Sequence, residues 1–166
     1  MADLITIVDK DDNVIGSKER KEVYKDGDIH RLIKILVFND QGELLLQWRS
    51  KNEDTFPETW DQSAGGHVDA GEDYITAAKR ELNEELGIEV EKFKELDKFF
   101  IDGRYGEKII RRFNTIYSVS HNGPFKLQES EVEKVKWWNV EELKSEVANN
   151  PEKFTHGMKD IVNNYL

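Results

Sequence analysis

The stretch GGHVDAGEDYITAAKRELNEELGI, residues 65–88, joins a glycine-rich segment to one amphipathic helix. Asp73 suits the N-cap, because its carboxylate can accept from the free amides of a first turn. Gly87 suits the left-handed residue just past a helix end. The spacing therefore predicts a helix over about 74–86. At about 100° per residue, Ile75, Ala78, Leu82 and Leu86 share one stripe, the predicted core face. Glu81, Glu84 and Glu85 share the stripe beside it, related by i, i+3 and i+4. Carboxylates grouped this way repel one another unless they are solvated or a cation sits among them. A charge run usually marks a solvated face. Here the acids flank the core stripe, and a glycine-rich loop with its own acid, Glu72, feeds the same helix. An all-oxygen donor set points to a hard cation, Mg²⁺ or in its place Mn²⁺.

Composition sets the outer limits. The chain has 166 residues, 37% hydrophobic and 35% charged, which suits one domain (1–166) with a sizeable core. No apolar run approaches the ~20 residues that a membrane helix needs, and the N-terminus carries no basic segment followed by an apolar one. With no cysteine, thiolate ligands, disulfides and a cysteine nucleophile are excluded. These features lead to the expectation of a cytoplasmic protein without a membrane partner. A net charge of −10 argues against a long nucleic acid, whose affinity comes mostly from Lys and Arg on phosphates. A small phosphorylated substrate stays open, because bound divalent cations would invert the local field.

Outward from the helix, residues 3–8 read as a first strand, with Val14–Ser17 returning after a turn. Residues 19–29 read as a loop with a helical turn. Arg31–Phe38 and Glu43–Arg49 form a hairpin, apolar through both centres, so its sheet is predicted to be covered on both faces. Ser50–Gln62 is irregular and carries Phe56, Pro57 and Trp60. Residues 89–96 read as an edge strand or connector. Lys98–Asp102 and Ile109–Ser120 follow as strands across the turn 102–106, and Val132–Trp138 is the last strand. Asn139 caps a helix over about 140–148, and Asn150-Pro151 opens a final one with Phe154, Met158, Ile161, Val162 and Tyr165 on its apolar face. The expected class is α/β, a mixed β-sheet in an α/β/α sandwich.

Gly66, five residues, Glu72, seven residues, Arg80-Glu81-Leu82, one residue, Glu84-Glu85, one residue, Gly87-Ile88: this resembles the full signature of the Nudix family, nine specified positions over 66–88. The resemblance implies the Nudix fold and a Mg²⁺-dependent hydrolase that cleaves the diphosphate linkage of a nucleoside diphosphate joined to another group. It makes Glu81, Glu84 and Glu85, with the Gly65 and Gly66 backbone, the expected metal site. Glu81 or Glu84 is the expected proton acceptor, beside Arg80, which would orient a carboxylate. Glu72 and Gly87 are expected to be structural. Glu129 and Glu131, before the last strand, are candidates for a further acidic ligand. Arg49, Trp60 and Arg112 are candidates for substrate binding. A homodimer is compatible with the family.

His30 opening a strand, Phe56-Pro57-Glu58-Thr59-Trp60 and Gly66-His67 resemble a narrower branch, the type 1 isopentenyl-diphosphate isomerases and their hydrolase-like relatives. This makes His30 and His67 additional site candidates. The isomerases carry a cysteine where this chain has Gly65, and glutamates on a later strand where it reads Ile110-Arg111-Arg112. The acid and base that alkene isomerisation needs are thus missing. An isomerase-like enzyme on isoprenoid diphosphates, and a non-catalytic ligand sensor on the Nudix fold, are the alternatives to hydrolysis.

Overall fold

The computed structural model describes residues 3–166; Met1 and Ala2, the first residues of the expected 1–166 domain, lie outside the described residues. Its centre is β3 (Ile29–Phe38), which runs parallel to β8 (Lys108–Ser120) in unbroken register from Ile29↔Arg111 to Phe38↔Ser120. On its other side β3 takes β6 (Ala64–His67) antiparallel, with Ile33↔Gly66 and Lys34↔Gly65, and it meets β1 (Leu4–Val8) at Ile7↔His30. β2 (Val14–Glu19) pairs with β1, and β7 (Lys94–Tyr105) pairs with β8. β4 (Leu44–Arg49) meets β3 at Phe38↔Leu44 and carries β5 (Trp60–Asp61) and β9 (Val132–Trp138).

The unbroken apolar run of β3 divides by alternation. Ile33, Ile35 and Val37 pack with Ala77, Ala78, Leu82 and Leu86 of the signature helix. Leu36 packs with Leu143 and Val147 of α3 (Val140–Asn149) and Met158, Ile161 and Val162 of α4 (His156–Tyr165). Side chains alternate across a strand, so one apolar strand supplies both cores, and the helices of the two cores enclose the sheet as the class predicted.

Several boundaries differ from the sequence reading. Residues 20–26 form a seven-residue helix, α1, closed by Gly27 at φ +76°. The β7–β8 hairpin runs past the expected turn: Gly103 stays in the strand opposite Ile110, and the chain reverses only at Gly106-Glu107, where Gly106 takes φ +59°. The final helix starts later than Pro151. Pro151–Lys153 make a single 3₁₀ turn, and Thr155 then caps α4 by accepting from the Met158 amide.

The signature helix is two segments. α2 (Tyr74–Glu81) is regular, with Asp73 accepting from the Thr76 amide at its start. Leu82–Leu86 then form a π-turn that ends at Gly87, φ +66°. Its buried face is also turned from the predicted stripe. Ile75 is exposed, while Ala77, Ala78, Leu82 and Leu86 are buried. Tyr74 takes the place near the core in the first turn, because its hydroxyl donates to Asp12 and its ring lies under Arg31 and Lys98.

Candidate active site: a buried carboxylate pair against a glycine strand

Gly65 and Gly66 are strand residues, which corrects their expected place in a loop. Each is paired to β3, and neither has a positive φ. What they supply is the absence of a side chain. A Cβ on Gly66 would overlap the Glu81 carboxylate, so that group lies directly on the strand.

The rotation of the helix carries Glu81 and Glu85 to its sheet side. Glu81 is 8% exposed and Glu85 5%, against 48% for the Glu84 side chain. In a regular helix, residues four apart are offset by about 40° around the axis. The wider π-turn reduces that offset and brings Glu85 more nearly into line with Glu81. Glu85 Oε2 accepts from the Gly65 amide at 2.8 Å, and its Oε1 lies 3.4 Å from Gln47 Nε2. Burial pushes the Glu81 carboxyl up to about 7, against the pull of Arg80. Burial, then the Glu81 charge, push Glu85 well above the usual carboxylate range.

Arg80 ties the acids together. Its Nε and Nη2 donate to the two oxygens of Glu72 at 2.7 and 3.1 Å. Nη1 reaches Glu81 at 2.9 Å and Glu84 at 3.2 Å, and Nη2 also reaches the His67 carbonyl at 3.0 Å. Burial alone would lower the guanidinium's pKa, yet these carboxylates raise it. Glu72 also accepts from the Asp69 amide at 3.0 Å, which closes the turn between β6 and α2. Gly87 holds the other end, where a Cβ would press on Lys126.

The other predicted residues are divided. Glu131, just before β9, is near enough that its charge adds to the upward push on Glu81 and Glu85; Glu129 is exposed. Arg49 is committed to the 50–61 segment through Glu53, Asp61 and the Thr55 carbonyl. Trp60 packs edge-on against Trp48 and Trp138, at one end of the second core. His30, His67 and Arg112 share the sheet face turned away from α2. The two imidazoles stack at 5.6 Å, and Tyr24 Oη lies 2.6 Å from His67 Nε2. Burial pushes His30 down to about 4 and His67 well below its ordinary range.

Sequence reasoning missed Tyr24, Lys34, Gln47 and Asn114. The available signal was polar residues interrupting apolar strands: Lys34 within RLIKILVF, Asn114 within RRFNTIY.

The donors fit a hard divalent cation in kind. Two buried carboxylates adjoin each other, and one of them has only an amide and a long side-chain contact for partners; a third hangs from Arg80 at the rim. Among the described residues, however, no three acidic, histidine or cysteine side chains already close on one point, because Glu84 is turned outward to Arg80.

Residues 28–163 match the NUDIX domain family. The chain is 34% identical to an isopentenyl-diphosphate Delta-isomerase of Serratia proteamaculans, over 93% of its own length and 87% of the relative's. It is 39% identical to an uncharacterized Nudix hydrolase of Pseudomonas aeruginosa, over 82% and 78%. Its fold is like that of a Deinococcus radiodurans protein, DR0079, with TM-score 0.80 and 24% identity, over 96% and 97% of the two chains.

Proposed function

The chain belongs to the Nudix family, as an enzyme of the Nudix hydrolase type on the branch that includes isopentenyl-diphosphate isomerase-like proteins, and from that premise we propose that it is a Mg²⁺-dependent hydrolase of a small nucleotide-type diphosphate. The observation that carries the reading is the carboxylate pair Glu81 and Glu85, held against the side-chain-free strand Gly65-Gly66 with Arg80 fixing the outer face. Glu81, Glu85 and, from the rim, Glu84 would hold the cation, with Glu131 nearby. When bound, Mg²⁺ supplies charge neutralisation on the diphosphate oxygens and acidifies a coordinated water.

The chain's own residues do the remainder. Gly66 lets the Glu81 carboxylate lie against the strand backbone, where a Cβ would displace it. Arg80 keeps Glu81 from turning away and leaves one Glu84 oxygen free, so either acid can take the proton of the attacking water. Gln47 and the Gly65 amide fix the plane of the Glu85 carboxylate. The test is a screen of nucleoside diphosphates linked to varied groups, with Mg²⁺, Mn²⁺ or EDTA, run in ¹⁸O-water. The expected outcome is metal-dependent cleavage of an anhydride with label in one phosphate product. Tight binding of these compounds without any cleavage would favour a ligand sensor instead.

A second reading follows from the Serratia relative, whose name is that of an isomerase. Here the chain has no thiol, and Arg112 and Asn114 stand opposite His30 and Leu32. Deuterium uptake from D₂O into isopentenyl diphosphate, at an enzymatic rate, would establish isomerisation; none is expected.

A further inference from the structure

The sheet face turned away from α2 carries an excess of buried, unsatisfied polar groups. Strand alternation and register put His30, Lys34, Arg112 and Asn114 on this face, and His67 joins them from β6 opposite Leu32. Gln62 reaches the same place, since its Nε2 lies 3.1 Å from where a Gly65 Cβ would point. Among the described residues eight buried side-chain polar atoms lack a partner, and five are here: His30 Nε2, Gln62 Oε1, Arg112 Nε and both polar atoms of Asn114. Native interiors leave few such atoms unpaired, because each gives up its hydration with nothing in return. Their concentration in one place points to a missing partner.

The charge indicates which kind. Lys34 and Arg112 have no carboxylate within ion-pair distance among the described residues: Arg112 is drawn toward Tyr24 and the more distant Asp61, and Lys34 feels Asp61 and Asp160 against the repulsion of Arg112. Asp61 itself is engaged by Arg49 and by the Thr155 hydroxyl. In a chain of net charge −10, two neighbouring cations without counter-ions are not a consequence of composition. The Asn114 amide can donate to oxygen but cannot neutralise charge, and Gln62 Nε2 already donates to Asp61 at 3.2 Å.

We propose that His30, Lys34, Gln62, His67, Arg112 and Asn114 form an oxyanion pocket that takes a phosphate group of the substrate. β6 is the wall between this pocket and the carboxylate pair, with Gly66 against Glu81 on one face and His67 on the other. The pocket thus deepens the hydrolase reading on which it rests. The substrate is anchored by an anionic, oxygen-rich group, and an apolar chain in this place would leave two cations and the unpaired donors of Arg112 and Asn114 without partners.

The probes are inorganic pyrophosphate and inorganic phosphate, titrated calorimetrically in EDTA. Because the metal is absent, failure here leaves the hydrolase reading standing, and failure to hydrolyse leaves this one standing. Pyrophosphate is expected to bind the wild-type protein. Arg112→Gln and Lys34→Gln are each expected to weaken it by about tenfold or more, as the loss of one charge-assisted contact implies. Arg112→Lys, which keeps the charge, should retain part of the affinity, and Lys94→Gln, an exposed cation on β7, should retain all of it. In the unmutated protein, the Asn114 side-chain amide and the His30 ring resonances should shift as pyrophosphate is added, a readout that does not depend on any variant folding. Unchanged resonances at these groups, or affinity indifferent to Arg112 and Lys34, would overturn the proposal and leave the pocket filled by water alone.

Discussion

Glu85 shows what a charge pattern leaves out. On a helical wheel it sits with Glu84 and Glu81 on one stripe, yet it is buried against the Gly65 amide while Glu84 faces solvent on Arg80. The difference makes a separable prediction. In EDTA, Glu85→Gln should not lower the melting temperature, since an amide loses less on burial than a carboxylate does. Added Mg²⁺ should stabilise the wild-type protein and stabilise this variant less, because binding to the folded state alone raises stability with concentration. Equal Mg²⁺ shifts in both proteins would remove Glu85 from the proposed metal site. Asp12 is a second residue with more weight than its place in a turn suggests. It takes hydrogen bonds from Arg31, Tyr74 and Lys98, so it ties the β1–β2 turn to β3, α2 and β7. Burial raises its pKa, but the hydrogen bonds from Lys98, Arg31 and Tyr74 outweigh burial and leave it below the ordinary carboxylate value. The contribution is therefore complete above the unfolded pKa and is lost as pH falls through the folded one. Asp12→Asn should cost roughly 3 kcal/mol at neutral pH and flatten the acid limb of the stability–pH curve. An unchanged acid limb would show that the node carries no linked stability.

The signature helix and β6 work as one device, and two substitutions separate its parts. Leu82→Ala removes a fully buried side chain and should cost roughly 2–5 kcal/mol, with turnover per folded molecule largely kept. Gly66→Ala has no backbone conformation to violate. Its added methyl would push the Glu81 carboxylate off the strand, so turnover should fall by about 100-fold or more with less loss of stability than Leu82→Ala. Thermal melts and initial rates on the same preparations decide it; a Gly66→Ala protein with normal turnover would mean that Glu81 need not touch the strand. The helix was legible from Asp73, Gly87 and the apolar spacing, whereas β6 was expected as a loop and is a strand. The π-turn was not, because 3.6-residue periodicity assumes that every turn has the same width. The burial of Ala77 in place of Ile75 was not legible either, since it depends on Tyr74 reaching Asp12, 62 residues away.

In the molecule as a whole, the sandwich could be read from β3 and β4, whose apolar centres require cover on both faces. The acidic half of the site could be read because its residues are contiguous in one signature. Of the basic half, His30, His67 and Arg112 were already candidates, but Lys34, Gln62 and Asn114 were not, since only the parallel register of β3 with β8 brings Arg112 beside His30 and Asn114 beside Leu32. The proposed function therefore draws on residues from the two faces of one sheet, divided by a strand with two glycines. The most direct test of this account is the initial rate of phosphate-anhydride cleavage with saturating Mg²⁺, on the best substrate found, for wild-type protein and Glu81→Gln side by side. Metal-dependent turnover is expected in the wild type and should fall by about 100-fold or more in the variant, on the order of 3 kcal/mol of transition-state stabilisation, while the variant still melts cooperatively. A folded Glu81→Gln protein that cleaves at the wild-type rate would contradict it.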